Sequence, residues 1–573
     1  MADLKKKTKK MRSQPARSAR LVQLGVFLSL AAPMAAQAAL TENLTIGNAK
    51  ALALGNAVTA DPPGIDSVHF NPAGLEQMKG RQTELKLVSG AFSIELGFGD
   101  YIPERKKFME DTMAKGVFTP QYFDNEAHLS KSKTEGASIM VPITGMVDLP
   151  VLFAPIGGVS YQPPESRMTF ATNVYSPLMV GFYRADNDPG RFIGQRLSFT
   201  VFTYFSPSVS FKVNDQLTLG GTITFNYAGV GLDLPFRGGH EGLPFLWDLQ
   251  EQACNPNYGK PEVPDSIGSG DGGWAAFVPC EPDRNKRLQF NELLGTLQFE
   301  VTQPLTFGVN VGALYKPQPW ITFGAVYQSR VNMDMEGDFK WTNSDPWMNF
   351  LWPLLHDIGK IPGEGPVQLP NGIGKRVVSG TAKLDMKLPE HYAFGTSIQL
   401  TPKYKVNLDY KFTGWSAWKA IPVQFSEPID FLRLAEYIQP GDATKSDRLV
   451  FPLGLEDTWN WAVGMEYQWN DRLALRLGLE DRPSSIPKKY RTPLLPMGSG
   501  KLYGAGFEYV MKDNSVMNFS IGYFASSIDM PGGTSRLGNS MDQRLVIYNP
   551  FQGTDIKADL SSYLVEYSYR QQF

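Results

Sequence analysis

A two-residue alternation of apolar and polar side chains, repeated along most of the sequence, limits what this chain can fold into. Within 472–481, Leu473, Leu475, Leu477 and Leu479 share one face and Arg472, Arg476 and Glu480 the other. This is a strand with two unlike sides. Val406, Leu408, Tyr410 and Phe412 oppose Lys405, Asn407, Asp409 and Lys411; Leu305, Phe307, Val309 and Val311 oppose Thr306 and Asn310. Leu219, Ile223 and Phe225 oppose Thr218, Thr222 and Thr224, and Trp459, Trp461 and Val463 oppose Asn460. A soluble sandwich would pair an aliphatic inner face with a polar outer one. Here the polar face carries Gly, Thr, Asn and paired charges, and the apolar face ends in aromatics. That suits a closed transmembrane barrel, apolar outside and polar inside. After residue 38 no run of about 18 apolar residues occurs, so no transmembrane helix is expected. Closed barrels are the other structure that can span a bilayer.

The turns set the strand count. Tight polar turns stand at 163–166, 213–216, 316–319, 401–403, 470–471 and 512–514. Long loops run over roughly 100–147, 179–195, 235–297, 340–381, 417–456, 482–500 and 527–556. Short turns on the periplasmic side and long loops outside are the bacterial pattern. The fold class is therefore all-β, an antiparallel barrel of about fourteen strands. The first two strands are the least defined, because 133–162 divides in more than one way.

Residues 1–38 read as a signal peptide. Lys5, Lys6, Lys7, Lys9, Lys10, Arg12, Arg17 and Arg20 precede an apolar run over 21–32, and Ala36-Gln37-Ala38 suits cleavage. Without these eight basic residues and one Asp, 47 basic and 56 acidic residues remain, a net charge near −9. That balance argues against nucleic acid as a partner. In an oxidising envelope Cys254 and Cys280 most simply form a disulfide, worth roughly 3 kcal/mol in the chain-entropy model. With only His240 nearby a metal site is not expected, and no cofactor motif is present.

Two loop stretches are too apolar to be left wet without a purpose. One holds Trp347, Phe350, Leu351, Trp352, Leu354 and Leu355, beginning like a helix with Pro346 in its first turn; the other holds Phe245, Leu246 and Trp247. Facing one another, they would form an extracellular groove for a lipophilic ligand; packed on one another, they would form the core of a lid. The stretch 429–438 reads as a third helix that packs. Within the wall, 168–175 runs into Ser176-Pro177, and proline cannot donate to a ladder in which every strand is central. A kink, break or early strand end is expected there. Arg330 and Lys419 are candidate partners for a carboxylate.

The stretch 44–75 is crowded with Gly, Ala and Asn and ends in Asn71-Pro72-Ala73-Gly74-Leu75. Such small side chains cannot build a core, but they can pack inside a cavity that something else provides. This segment resembles the N-terminal hatch of the FadL family of outer-membrane channels for long-chain fatty acids and hydrocarbons, which ends in an Asn-Pro-Ala motif. Leu388-Pro389-Glu390 with 404–415, and the hairpin 457–487, are similar to strand pairs of that family. The final strand, with Tyr563, Val565, Tyr567, Tyr569 and Phe573 on one face, resembles the signal read by the outer-membrane assembly machinery.

The resemblance implies a hatch over residues 39–80 within a barrel over 81–573, set in a bilayer with lipopolysaccharide. It also implies a kinked third strand, at Ser176 and Pro177, that opens the wall sideways. The expected function is facilitated uptake of fatty acids or hydrocarbons, without catalysis. A porin for polar solutes is the alternative; a barrel lipase or deacylase would need Ser or Thr beside a His, a spacing absent around His69, His128, His240, His356 and His391.

Overall fold

The computed structural model describes residues 46–123, 127–254, 280–281, 283, 287–358, 374–438 and 444–573. The signal-peptide reading of 1–38 and the first part of the hatch reading, 39–45, lie outside them. The alternation becomes structure directly in Leu473–Arg482, where Leu475 and Leu477 are exposed while Ala474, Arg476 and Glu480 are buried. The same holds for Phe307, Val309 and Val311, for Leu408 and Tyr410, and for Trp459 and Trp461, all turned outward. An apolar surface of this extent fits acyl chains rather than water.

Among the described residues, fourteen wall strands close into one antiparallel barrel. The first three are Arg81–Tyr101, Leu152–Tyr161, and Met168–Asn173 continued by Tyr175–Tyr183. The fourth comprises Arg196–Phe205 and Ser208–Lys212, the fifth Leu217–Gly238, the sixth Glu292–Gln318. The seventh and eighth are each interrupted once, as Ile321–Gln328 with Val331–Asn343 and Val377–Leu388 with His391–Thr401. Tyr404–Thr413, Thr458–Asn470, Leu473–Arg482, Ser499–Val510, Val516–Met530 and Thr554–Gln572 complete the ring. Closure joins the first strand to the last, from Gln82 opposite Gln572 to Tyr101 opposite Thr554, which leaves no sheet edge at the seam. Short turns and long loops alternate as the sequence suggests. The ambiguous 133–162 resolves into a small separate hairpin, Ala137–Val141 with Gly145–Leu149, followed by the second wall strand.

One irregularity divides the interior. Between the fifth and sixth strands the register jumps: Asn226 faces Thr306, but Ala228 faces Gln303. Pro304 and Leu305 thus stand opposite the single residue Tyr227, a β-bulge that reverses side-chain parity along the sixth strand. Below it Thr306 and Asn310 are buried and Phe307 and Val309 exposed; above it Leu297, Phe299 and Val301 are buried and Glu300 faces out. The fourth strand makes a matching shift beside Tyr204. The expectation of a polar lumen therefore holds for the lower half only. The upper half, toward the long loops, is lined by apolar side chains such as Phe92, Phe199, Val230, Leu384, Met386 and Phe524.

Residues 46–78 form short helices, Ala49–Ala53, Gly64–Asp66, Ser67–Phe70 and Pro72–Gln77. Asn48 caps the first by accepting from Ala51 N–H. Asn71 caps the last by accepting from Ala73 N–H, with Pro72 where no donor is needed. Glycines of the wall permit their close approach: a Cβ on Gly312 would stand 2.1 Å from Asn71 Oδ1, and one on Gly504 1.8 Å from Leu52 O.

Candidate functional site

The lower interior is polar, and its charges are paired. Asp61 meets Lys50 at 2.8 Å and Lys405 at 2.7 Å; Lys405 also meets Glu466 at 2.9 Å. Glu466 and Glu508 each lie 2.7 Å from Arg476. Glu480 joins Lys411 at 2.8 Å, Arg482 at 2.7 Å and Asn56 Nδ2 at 3.0 Å. Asp409 accepts from the N–H groups of Val58 and Thr59 and from the Thr59 hydroxyl. These carboxylates bond the 46–78 segment to the ninth and eleventh strands, and Glu466 of the tenth holds Lys405. On the opposite side Asn71 Nδ2 donates to Thr59 O at 2.8 Å and to Ala313 O at 3.2 Å, while Thr222 and Asn310 donate to Val68 O.

Asp66, fully buried, joins three parts of the molecule. It accepts from Asn48 Nδ2 at 2.6 Å, pairs with Lys86 of the first strand at 2.5 Å, and accepts from Asn173 Nδ2. Asn173 is the last residue of the third strand before its break.

That break is at Val174, whose N–H makes a last bond to Gly157 O at 3.1 Å. Tyr175–Tyr183 then pairs with the fourth strand, again with a register shift between Tyr175 and Leu178. Among the described residues it forms no ladder with the second. Ser176 Oγ donates to Val201 O at 2.8 Å, bridging the shift that Pro177 imposes. The expected irregularity at Ser176 and Pro177 is thus a bulge, and the strand parts just before it.

An apolar cavity occupies the break. Its inner side is Phe92 and Ile94 of the first strand with Phe524 and Leu564; its outer side is Leu152, Met179 and Ile139. A second cavity lies higher, between Phe199, Val230, Phe299, Met386 and Trp418. Val180, Leu494 and Leu495 border both. Ser562 is the one hydroxyl among the described residues lining either, and no lining side chain is charged.

The loops above are packed rather than grooved. Trp347, Phe350, Leu351 and Leu354 are buried, and Trp352 and Leu355 partly so. Trp347 meets Phe431 edge-on, and Phe431 stacks on Trp341 at 5.3 Å. Trp247 is buried against Phe118 and Tyr122 with Arg287 over its ring; Leu246 is partly buried and Phe245 is exposed. The two stretches thus pack against different partners, which corrects the expectation of an open groove between them. The helix Asp430–Ile438 packs as expected, supplying Phe431. In the helix Pro103–Met113, Arg105 donates to Gly239 O at 2.7 Å and lies over Phe290; burial pushes its guanidinium down to about 10, still charged at neutral pH. Cys254 and Cys280 form the disulfide.

Neither carboxylate candidate reaches a cavity. Arg330 pairs with Glu390 at 2.8 Å at an exposed strand break, and Lys419 points to solvent although its neighbour Trp418 lines the upper cavity. Of the histidines, His391 meets the Thr413 hydroxyl at 2.9 Å, buried in the wall and away from both cavities. Sequence reasoning missed the cavity lining. Its one local signal was the apolar Leu494-Leu495-Pro496-Met497 within an outer loop.

A family model described as outer membrane protein transport protein (OMPP1/FadL/TodX) matches residues 25–573. The long-chain fatty acid transport protein of Escherichia coli O6:H1 is 22% identical over 346 residues, 56% of this chain and 69% of that protein. The crystal structure of a Pseudomonas aeruginosa FadL homologue covers 94% of this chain and all of its own, with a TM-score of 0.60 at 14% identity. That of the Ralstonia pickettii toluene transporter TbuX gives 0.52 at 16% identity, over 93% of this chain and 99% of its own. With its closed barrel and outward apolar band, the chain belongs to the OMPP1/FadL/TodX family of transport proteins of the bacterial outer membrane.

Proposed function

We propose that this protein carries hydrophobic compounds inward by facilitated diffusion, through the apolar upper interior and out sideways at the break in the third strand. One observation carries the reading: two charge-free cavities, bordered in common by Val180, Leu494 and Leu495, stand in sequence between the upper interior and the place where the third strand parts from the second. Residues 46–78, including Asn71, Pro72 and Ala73, act as the hatch that closes the lower bore. Asp66, bonded to that segment and to Asn173, links the hatch to the side opening. The energetics favour this route over a straight one. Each methylene moved from apolar surroundings into water costs about 0.8 kcal/mol, so a long alkyl chain would meet a steep barrier among the lower ion pairs. No outer groove is needed; the ligand passes the packed loops when they part.

The relatives' names include both a long-chain fatty acid and toluene. An ionised carboxylate buried without a partner is costly, and neither cavity offers it a cation. Neutral hydrocarbon, or an acyl chain whose carboxyl stays outside the cavity, is therefore the favoured cargo. Val180→Trp, at the border common to both cavities, is expected to bring hydrocarbon uptake down to that of cells lacking the channel. Heat-modifiable gel mobility should remain that of a folded barrel; uptake unchanged in such a variant would refute the route.

A further inference from the structure

The hairpin Ala137–Val141 with Gly145–Leu149, part of the first outer loop, lies against the outer face of the wall. Its inner side is polar or sulfur-bearing and well held. Ser138 and Met140 are buried, Met140 N–H donates to Thr200 Oγ1 at 3.1 Å, Met146 N–H to Glu300 Oε2 at 3.0 Å, and Asp148 pairs with Arg196 at 3.0 Å. Thr200 and Glu300 point away from the bore, since their neighbours Phe199, Val201 and Phe299 point into it. The hairpin therefore covers a polar patch of the wall's exterior.

Its other side is wholly apolar. Pairing sets Ala137 against Leu149 and Ile139 against Val147, with Val141 beyond them. All except Ala137 are partly exposed. At the tip Ile143 is completely exposed at 108% and has a φ of +72°. A β-branched residue in the left-handed region is strained, and a turn that faced water would be better served by Gly or Asn. Strain kept at an exposed apolar position points to a use for that side chain. The apolar side also continues an interface already present. Three residues after Leu149 the second wall strand begins, and its Phe153 is 61% exposed on the lipid-facing side. Ile139 borders the outer mouth of the cleft at the third strand.

We propose that this hairpin is a membrane-contacting element, whose apolar side and Ile143 tip lie among the acyl chains of the outer leaflet beside the side opening. It turns a polar stretch of wall into an apolar one at the place where a lipophile would leave. The lipid contact is measured without any cargo, so its failure and that of the transport route are separable.

The test uses the full-length protein with Ile143→Cys or Val147→Cys, each carrying a bimane dye, the native cysteines being joined in their disulfide. It is reconstituted in phosphatidylethanolamine and phosphatidylglycerol vesicles with or without brominated acyl chains. Phe153→Cys serves as the lipid-facing reference and Asp513→Cys, in a tight turn, as the aqueous one. At both hairpin sites the ratio of bromolipid to iodide quenching is expected to match Phe153→Cys and to exceed Asp513→Cys severalfold. Ready quenching by iodide with none by brominated lipid would overturn the proposal. So would protection from both quenchers with cross-linking between copies, which would assign the face to a second copy of the chain.

Discussion

The two halves of the bore differ in almost every physical respect, although the same strands line both. Below the bulge at Pro304 the inward residues are Thr, Asn, Gly and paired charges, and residues 46–78 meet them through hydrogen bonds and backbone-close glycines. Above it the inward residues are Phe, Leu, Val and Met around charge-free cavities. A polar half can hold a segment in one place because each buried carboxylate demands its own partners. An apolar half imposes no such geometry, and suits cargo recognised by surface area alone. On the proposed route the lower half would close the bore and the upper half would pass the cargo.

The largest effect should come from removing the lower half's occupant. Deleting residues 46–78 is expected to leave an assembled barrel that conducts small ions freely in planar bilayers; conductance as low as in the intact protein would mean that the segment closes nothing. Next comes the boundary itself. Inserting one alanine between Val301 and Thr302 shifts the upper part of the sixth strand by one residue, turning Phe299 and Val301 toward lipid and Glu300 inward. Most of this variant should fail to reach the heat-resistant folded form on gels, whereas normal folding would show that the inward facing of Phe299 and Val301 is not what divides the bore.

Lys405→Met should have a smaller effect. Breaking a buried ion pair costs about 3 kcal/mol at the low end of the usual range, the low end being apt because Lys50 still pairs with Asp61. That corresponds to roughly a hundredfold increase in release of the segment, measurable as brief channel openings. The smallest effect belongs to the outer loops. Burial holds the His240 imidazole below its ordinary value, with Arg105 nearby acting the same way. The unfolded loop therefore takes up a proton first, and its folded form loses stability as pH falls below about 6.5. Hydrogen exchange over 238–254 should be faster at about pH 5 than at about pH 7; equal rates would remove His240 as the cause.

Much of this was legible in the sequence. Strand number, closure and the alternation of short turns with long loops followed from periodicity and turn spacing, and the family from the resemblance carried by the stretch ending in Asn71-Pro72-Ala73. The upper interior was not legible, for a geometrical reason. Along the sixth strand Leu297, Phe299 and Val301 have the same odd parity as Leu305, Phe307 and Val309. One set faces the bore and the other the membrane only because two residues oppose one at Tyr227. Alternation reports that a strand has two faces; it does not report when they change places. The outer aromatics were misplaced for a different reason. Apolar content in a loop says that the loop must bury something, not against what, and the partner of Trp347 lay about 84 residues further on at Phe431.

The bulge at Pro304 also acts as an insulator. Because side-chain direction is reset there, changes above it are not transmitted as a register error into the band that grips the bilayer. On the proposed route, cargo preference would be rewritten residue by residue in the upper storey, at Phe299 or Met386 for instance, without touching the ion pairs below.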